Sequence, residues 1–214
     1  MKFDELVELF KDRPFFESGE VHLIFDESTE QIEARLSRWV HMGKLLKLRH
    51  KRYLLGKKYR HAEPSRGYIS NFLYRPSYVS LRTSLRIYDM IPEAVYINES
   101  VTLRKTAEWE TDIGVFKYYS IKNERFWGYR MYPERDERTL AQQKFLLALP
   151  EKVLLDLFYL MKGEWSKDRI KEMRFQNMQI LKPERLKEFE KRFKSPKVTR
   201  ATNNFLSLFF KEEV

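Results

Sequence analysis

The sequence predicts an α+β fold, built from an N-terminal winged helix-turn-helix and a mixed α+β domain that follows it. Residues 1–56 show three short helical patterns and then two short strands, and residues 68–214 show strand-like stretches flanked by helices. The segment 57–67 between them is polar and basic and contains Pro64 and Gly67, which predicts a linker. With 15% aromatic residues, the 214-residue chain can build a sizeable packed core.

Three helices are predicted in the N-terminal part. Apolar residues from Phe3 to Phe10 recur at helical spacing, and Pro14 ends this first helix. Residues 20–25 fit a short second helix or a turn. Ser28 or Thr29 is suited to cap a third helix, which Gly43 stops. The apolar face of this third helix carries Ile32, Leu36, Trp39 and Val40.

A basic hairpin follows Gly43. The run LLKL, then RHKR, then YLL predicts two short strands joined by a tight turn. Three helices followed by such a hairpin are typical of a winged helix-turn-helix, whose third helix enters the DNA major groove. The predicted DNA contacts are the exposed residues of that helix and of the hairpin: Thr29, Gln31, Arg35, Arg38, Lys44, Lys47, Arg49, His50, Lys51 and Arg52.

The charge distribution supports a polyanionic partner. Between positions 34 and 62 there are ten Lys and Arg residues and no Asp or Glu, whereas the rest of the chain holds 31 basic and 31 acidic residues. This single window therefore carries the whole net charge of +10. Each phosphate that a cation neutralises releases counterions, so nucleic acid is the natural ligand of such a segment.

Different roles are expected for the helix and the hairpin. Gln31 can pair with adenine, and Arg35 or Arg38 can pair with guanine or phosphate. The hairpin tip would contact the DNA backbone or the minor groove. Glu30 and Glu33 would repel phosphate unless they accept from cytosine or orient an arginine. A winged helix used only for protein contacts is the alternative.

The region after the linker predicts a small mixed sheet flanked by helices. Ser80 can cap a helix that runs to about Met90, and Pro150 occupies the first turn of another. Further helices are predicted to begin at Ser166, at Pro183 and near the C-terminus. Strands are predicted at Val95–Leu103, Gly114–Ile121, Phe126–Tyr132 and Thr139–Leu147.

The sequence offers little sign of catalysis or of a bound cofactor. It has no cysteine, its four histidines lack metal-ligand spacing, and it contains no glycine-rich phosphate loop, so we predict no catalytic residue, metal or cofactor. Glu151 and Asp156 could serve a nuclease-like enzyme, but Asp156 is better explained as the partner of a buried cation. The absence of a signal peptide and of an apolar span predicts a cytoplasmic protein without membrane contact.

Several segments, in order, resemble the AbiEi family of antitoxins from type IV toxin–antitoxin systems. These are RWVHMGKLLKLRHKRYLL, YVSLRTSLRIYDMIPE, VTLRKT before IGVFKYYSI, and LALPEKVLLDLFYL; the last is similar to the family's Pro-Glu-Lys-Ala-Leu-Leu-Asp signature, with Val153 in place of alanine. The resemblance covers about residues 1–161. Residues 162–214 match no motif of the family.

The resemblance implies a DNA-binding repressor of its own operon that recognises inverted repeats in double-stranded DNA. It also implies that the C-terminal region antagonises a nucleotidyltransferase-like toxin encoded nearby, without requiring a stable complex. Three alternatives stay open. The chain could be a stand-alone winged-helix regulator without a toxin, an enzyme that processes nucleic acid, or a module that holds a toxin directly.

Overall fold

The computed structural model describes residues 1–133 and 143–210. Its helices are α1 (Phe3–Phe10), α2 (Ser18–Ile24), α3 (Thr29–His41), α4 (Arg66–Leu73), α5 (Leu81–Ile87), α6 (Pro150–Leu160), α7 (Lys167–Glu172), α8 (Pro183–Phe193) and α9 (Pro196–Phe209). Its strands are β1 (Phe16–Glu17), β2 (Leu45–Arg49), β3 (Arg52–Leu55), β4 (Ser77–Val79), β5 (Ile97–Thr102), β6 (Ala107–Thr111), β7 (Gly114–Ser120), β8 (Tyr129–Tyr132) and β9 (Phe145–Ala148). Short 3₁₀ turns lie at Asn123–Arg125 and Met178–Ile180.

The N-terminal part combines α1, α2 and α3 with a three-stranded antiparallel sheet of order β1-β3-β2. Its core holds Leu6, Phe10, Ile32, Leu36 and Trp39 from the helices, packed against buried side chains of the sheet. The helical spacing of these apolar residues in the sequence therefore marks the buried faces of α1 and α3, as predicted.

The small sheet is covered on its second side as well. Leu48 and Leu54 belong to a different buried cluster, which they share with Ile69 of α4 and with Phe116 and Tyr118 of β7. A strand buried on both sides loses the simple alternation of apolar and polar residues, as in β3, where Tyr53, Leu54 and Leu55 are all buried. The hairpin is consequently packed onto the rest of the protein.

The larger sheet is mixed, with the strand order β6-β7-β5-β4-β9-β8. Strand β5 pairs in parallel with β7, β4 pairs in parallel with β9, and the remaining neighbours are antiparallel. The largest buried cluster joins β4, β5 and β9 to α5, α6, α8 and α9. The predicted α+β class with a mixed sheet is confirmed.

Hydrogen bonds fix the segment between the small sheet and α4 to the N-terminal part and to the residues before β9. The backbone amides of His61 and Ala62 donate to the carbonyl of Lys11, and the amide of Ser65 donates to Gln143 Oε1 at 2.6 Å. Residues 57–65 contain no helix or strand. Arg66 and Gly67, which the sequence assigned to the linker, instead form the first turn of α4, because Ser65 Oγ accepts from the amide of Tyr68.

Several elements differ from their predicted positions. Strands β1, β4 and β6 and helix α4 were not predicted, since each is short and its apolar pattern does not separate it from a loop. Strand β8 begins at Tyr129 and not at Phe126, because residues 126–128 follow a 3₁₀ turn without joining the sheet and Gly128 has a positive φ of 78°. The strand predicted at Thr139–Leu147 corresponds in part to β9, and residues 139–142 lie outside the described residues.

No helix in the described parts of the chain is long and apolar enough to cross a membrane.

Candidate nucleic-acid interface

Helix α3 begins with a reciprocal cap. Ser28 Oγ accepts from the amide of Gln31 at 3.3 Å, and Gln31 Oε1 accepts from the amide of Ser28 at 3.1 Å. Ser28 is therefore the cap, and Thr29 is the exposed first residue of the helix. Because Gln31 uses its side-chain oxygen to hold the helix start, it must leave this bond before it can read adenine in the bidentate mode.

The two arginines of α3 have different surroundings. Arg35 donates to the carbonyl of Met1, and its Nε lies 3.3 Å from Glu27 Oε2. Arg38 is exposed, and its guanidinium has no partner among residues 1–133 and 143–210. The structure thus leaves Arg38, not Arg35, as the arginine of α3 that is available to an external anion.

The two glutamates that complicate DNA contact have different environments on α3. Glu30 is exposed in the first turn, and hydrogen bonds from its own amide and from Ser28 hold its pKa below the usual value. Glu33 is half-buried, with Oε1 3.6 Å from Nε2 of His22. Glu30 lies beside the positive end of the helix dipole, where a negative charge stabilises α3.

The hairpin turn projects a small basic surface. His50 and Lys51 join β2 to β3, with positive φ angles of 24° and 60°, and both are exposed. Residues other than glycine pay on the order of 1 kcal/mol each for such a conformation, which the packed strands on either side must offset. Lys47 of β2 is also exposed. These three side chains form no ion pair within the described residues.

Three other residues that were predicted to contact DNA instead contact other parts of the protein. Arg52 donates to Glu17 Oε1 at 2.8 Å, and Nζ of Lys44 lies 4.6 Å from the centre of the Phe3 ring. Arg49 donates to the carbonyl of Leu73 at 3.3 Å. The sequence could not show these partners, because each lies far from the basic window along the chain and becomes a neighbour only in the folded protein.

The ten predicted residues therefore separate into two groups. The first contains exposed side chains that have no internal partner among the described residues: Thr29, Arg38, Lys47, His50 and Lys51. The second contains side chains engaged within the protein: Gln31, Arg35, Lys44, Arg49 and Arg52. The first group spans α3 and the hairpin turn, which are the two elements that a winged helix presents to DNA.

The carboxylates considered for catalysis are both buried. Asp156 pairs with Lys152 four residues earlier and accepts from Tyr78 at 3.0 Å and from Ser80 at 2.9 Å. Its prediction as the partner of a buried cation is confirmed. Glu151 accepts instead from Arg185 and from the amide of Lys182. Neither carboxylate is accessible to a substrate, since both side chains are 0% exposed.

Ser80 has a role different from the predicted one. It occupies the N-cap position of α5 but makes no capping hydrogen bond, and its hydroxyl donates to Asp156. Within the described residues, no group of three His, Asp or Glu side chains is placed to hold a metal ion.

No family model matches the chain, and no curated protein sequence matches it.

Proposed function

We propose that the chain is a transcriptional regulator that binds double-stranded DNA, with residues 1–56 acting as a winged helix-turn-helix. In this proposal α3 is the helix that enters the major groove and the β2–β3 hairpin is the wing. The order of three helices and an antiparallel hairpin supports this assignment. A protein of this kind works in the cytoplasm, beside the DNA it binds.

One observation carries the proposal. Arg38, Lys47 and Lys51 are exposed cations without a carboxylate partner in the described chain, although 31 acidic residues are present in the sequence. Exposed cations of a protein surface ordinarily have acids interspersed among them, and the window 34–62 has none. A phosphate backbone would supply the missing anions and gain entropy from released counterions.

The test changes Lys47 and Lys51 to Ala together and measures binding to a duplex from upstream of the gene by fluorescence anisotropy across a salt series. Loss of two phosphate contacts should reduce the slope of log affinity against log salt by about 2. The matched control is Lys167→Ala with Lys191→Ala, which removes two exposed lysines of α7 and α8. Equal slopes for both double variants would refute the wing assignment.

Arg38 tests the reading helix separately. Because it lies on the exposed side of α3, Arg38→Ala should weaken binding to the upstream duplex more than binding to a scrambled duplex of equal length. A base contact of this kind contributes about 1–3 kcal/mol of discrimination. An equal loss on both duplexes would instead indicate a phosphate contact.

The biological role is inferred from the resemblance to the AbiEi family. We infer that the chain represses its own operon and antagonises a nucleotidyltransferase-like toxin encoded nearby, without a stable complex. Expression of the neighbouring gene with and without this chain tests the inference, and restored growth is the expected result. The variant with alanine at positions 47 and 51 should lose repression and keep neutralisation. If no such toxin gene is adjacent, the stand-alone regulator is the correct description.

A further inference from the structure

A second group of cations surrounds Tyr74, next to the hairpin. The guanidinium carbons of Arg49 and Arg104 lie 5.5 and 5.3 Å from the centre of the Tyr74 ring. The Tyr74 hydroxyl donates to the carbonyl of Lys105 at 3.2 Å. Trp109 closes the group, with its ring centre 3.6 Å from the guanidinium carbon of Arg49 and 4.9 Å from the ring centre of Tyr74. We call these five residues the Tyr74 cluster.

The cations of the Tyr74 cluster have no carboxylate partner in the described residues. Arg104 and Lys105 are exposed, and Arg49 is partly exposed. The nearest acids along β6 are Glu108 and Glu110, on either side of Trp109 in the chain. Successive side chains of a strand point to opposite faces, so both acids lie on the face away from the cluster. Glu108 is in addition paired with Lys117, at 2.7 Å.

Aromatic contacts hold these guanidinium groups without neutralising them. A carboxylate would cancel the charge, whereas stacking on tyrosine or tryptophan orients the planar group and leaves its charge in place. Nη1 of Arg49 also donates to the carbonyl of Leu73, and this bond does not neutralise the charge either. Arginine presented in this way suits the bidentate recognition of phosphate. Arg49 and Arg104 are thus held against aromatic rings, with the exposed Lys105 next to Arg104 in the chain, and these three cations lack an anion among the described residues.

The cluster adjoins the proposed DNA-binding surface. Arg49 directly precedes the His50–Lys51 turn, and Trp109 belongs to the edge strand of the larger sheet. Phosphates follow one another at short intervals along a DNA strand, so a duplex on the hairpin can reach both groups. The sequence carries a related signal beyond the window 34–62, because residues 64–88 also contain no Asp or Glu.

We propose that the Tyr74 cluster is a second phosphate-binding site for duplex DNA, which extends the contact from the hairpin onto the larger sheet. This inference rests on the proposed function, since it assigns a further contact to the same ligand. The second site lies elsewhere than the hairpin, because Arg104 and Lys105 are outside the N-terminal part. Arg49 then has two tasks: it anchors the hairpin to Trp109 and it contributes charge to the cluster.

The test removes the two exposed charges with Arg104→Ala and Lys105→Ala and measures duplex binding across a salt series. The expected result is a salt slope smaller by about 2 than in the wild type. The charge-matched control is again Lys167→Ala with Lys191→Ala. A second variant, Arg104→Lys with Lys105→Arg, keeps both charges and should retain the wild-type slope. Circular dichroism of each variant verifies that it is folded.

Duplex length provides an independent readout. Contacts outside the hairpin need additional phosphates, so Arg104→Ala with Lys105→Ala should have little effect on the shortest duplex that the wild type still binds. The effect should grow as the duplex is lengthened. A merely structural role of these residues would weaken binding to all duplexes equally, and that result would overturn the inference.

The outcomes separate the two proposals. If the Lys47 and Lys51 variant loses affinity while the Arg104 and Lys105 variant matches its control, the second site is wrong and the proposed function stands. If the wild-type protein binds no duplex, both are wrong. If both variants lose slope on long duplexes, both are supported. A stronger dependence on Arg104 and Lys105 with single-stranded RNA than with duplex DNA would overturn the choice of ligand.

Discussion

The guanidinium of Arg49 stacks on the indole of Trp109 at 3.6 Å, and this contact joins the β2–β3 hairpin to the edge strand of the larger sheet. The wing of a winged helix usually projects from the fold, whereas the β2–β3 hairpin of this chain is packed on both sides. Its position is therefore set by the larger sheet. In the proposed function, the larger domain fixes the angle at which the hairpin meets DNA.

The first prediction concerns Trp109. Its ring contacts Arg49, Tyr74 and Tyr118, so Trp109→Ala should lower the free energy of unfolding by about 3 kcal/mol through lost packing and stacking. Urea denaturation followed by circular dichroism measures the change. Tyr96→Ala is the control, because that side chain is 80% exposed and should change stability by less than about 0.5 kcal/mol. Equal losses would mean that Trp109 does not hold the hairpin in place.

The second prediction concerns the buried ion pair of α6. Burial lowers the pKa of Lys152 and raises that of Asp156, and their mutual attraction opposes both shifts. Lys152→Met should destabilise the protein by about 3–5 kcal/mol, because it leaves a buried carboxylate without its cation. Adding Asp156→Leu should recover part of this loss. A double-mutant cycle in urea measures the coupling, and simple additivity would show that the pair acts as two independent groups.

The third prediction is a pH dependence that comes from Glu99. Burial raises the pKa of its carboxyl above the usual value, although the amide of Arg82 and the Tyr119 hydroxyl donate to it. A carboxyl with a raised pKa in the folded state favours folding while it is protonated. That contribution is complete below the ordinary pKa of 4.5 and is lost as pH rises through the folded value.

The measurement compares wild type with Glu99→Gln, whose side chain does not ionise. The unfolding free energy of the wild type, relative to this variant, should be higher at about pH 4 than at about pH 7. The two donors meet different oxygens of Glu99, so Gln can keep its oxygen toward the amide of Arg82 and donate from its amide nitrogen to the Tyr119 hydroxyl oxygen. The size and shape of the side chain are nearly unchanged. A difference that does not vary with pH would contradict the raised pKa.

The fourth prediction concerns the close approach of α4 to β9. A Cβ atom at Gly67 would lie 2.5 Å from Cζ of Phe145, a ring that is buried and cannot easily move aside. Gly67→Ala should therefore destabilise the protein by roughly 1–3 kcal/mol. Gly19→Ala is the matched control, since a Cβ atom there would meet nothing within 4 Å. Gly19 lies in α2, and alanine is more favourable than glycine in a helix by up to about 1 kcal/mol, so this variant should be more stable than the wild type. Thermal unfolding should shift in opposite directions for the two variants.

The longer helices could be predicted from sequence because each has a local cause. Ser28 caps α3, apolar residues repeat at helical spacing, and Pro150 occupies the first turn of α6. Strands β1, β4 and β6 could not be predicted in this way. Each is a short segment that becomes a strand only because a partner elsewhere in the chain pairs with it, as Val79 of β4 pairs with Leu147.

The candidate site also has some features that follow from local sequence and others that only the fold decides. The sequence by itself determined that the excess positive charge is concentrated between positions 34 and 62 and that a tight basic turn joins two strands, because composition and turn patterns are local properties. The tertiary structure decided which cations stay available. Glu17 and Glu27 engage Arg52 and Arg35, while Trp109 and Tyr74 hold Arg49 without neutralising it. An ion pair or a stack depends on distance in space, and only the fold brings these distant residues together.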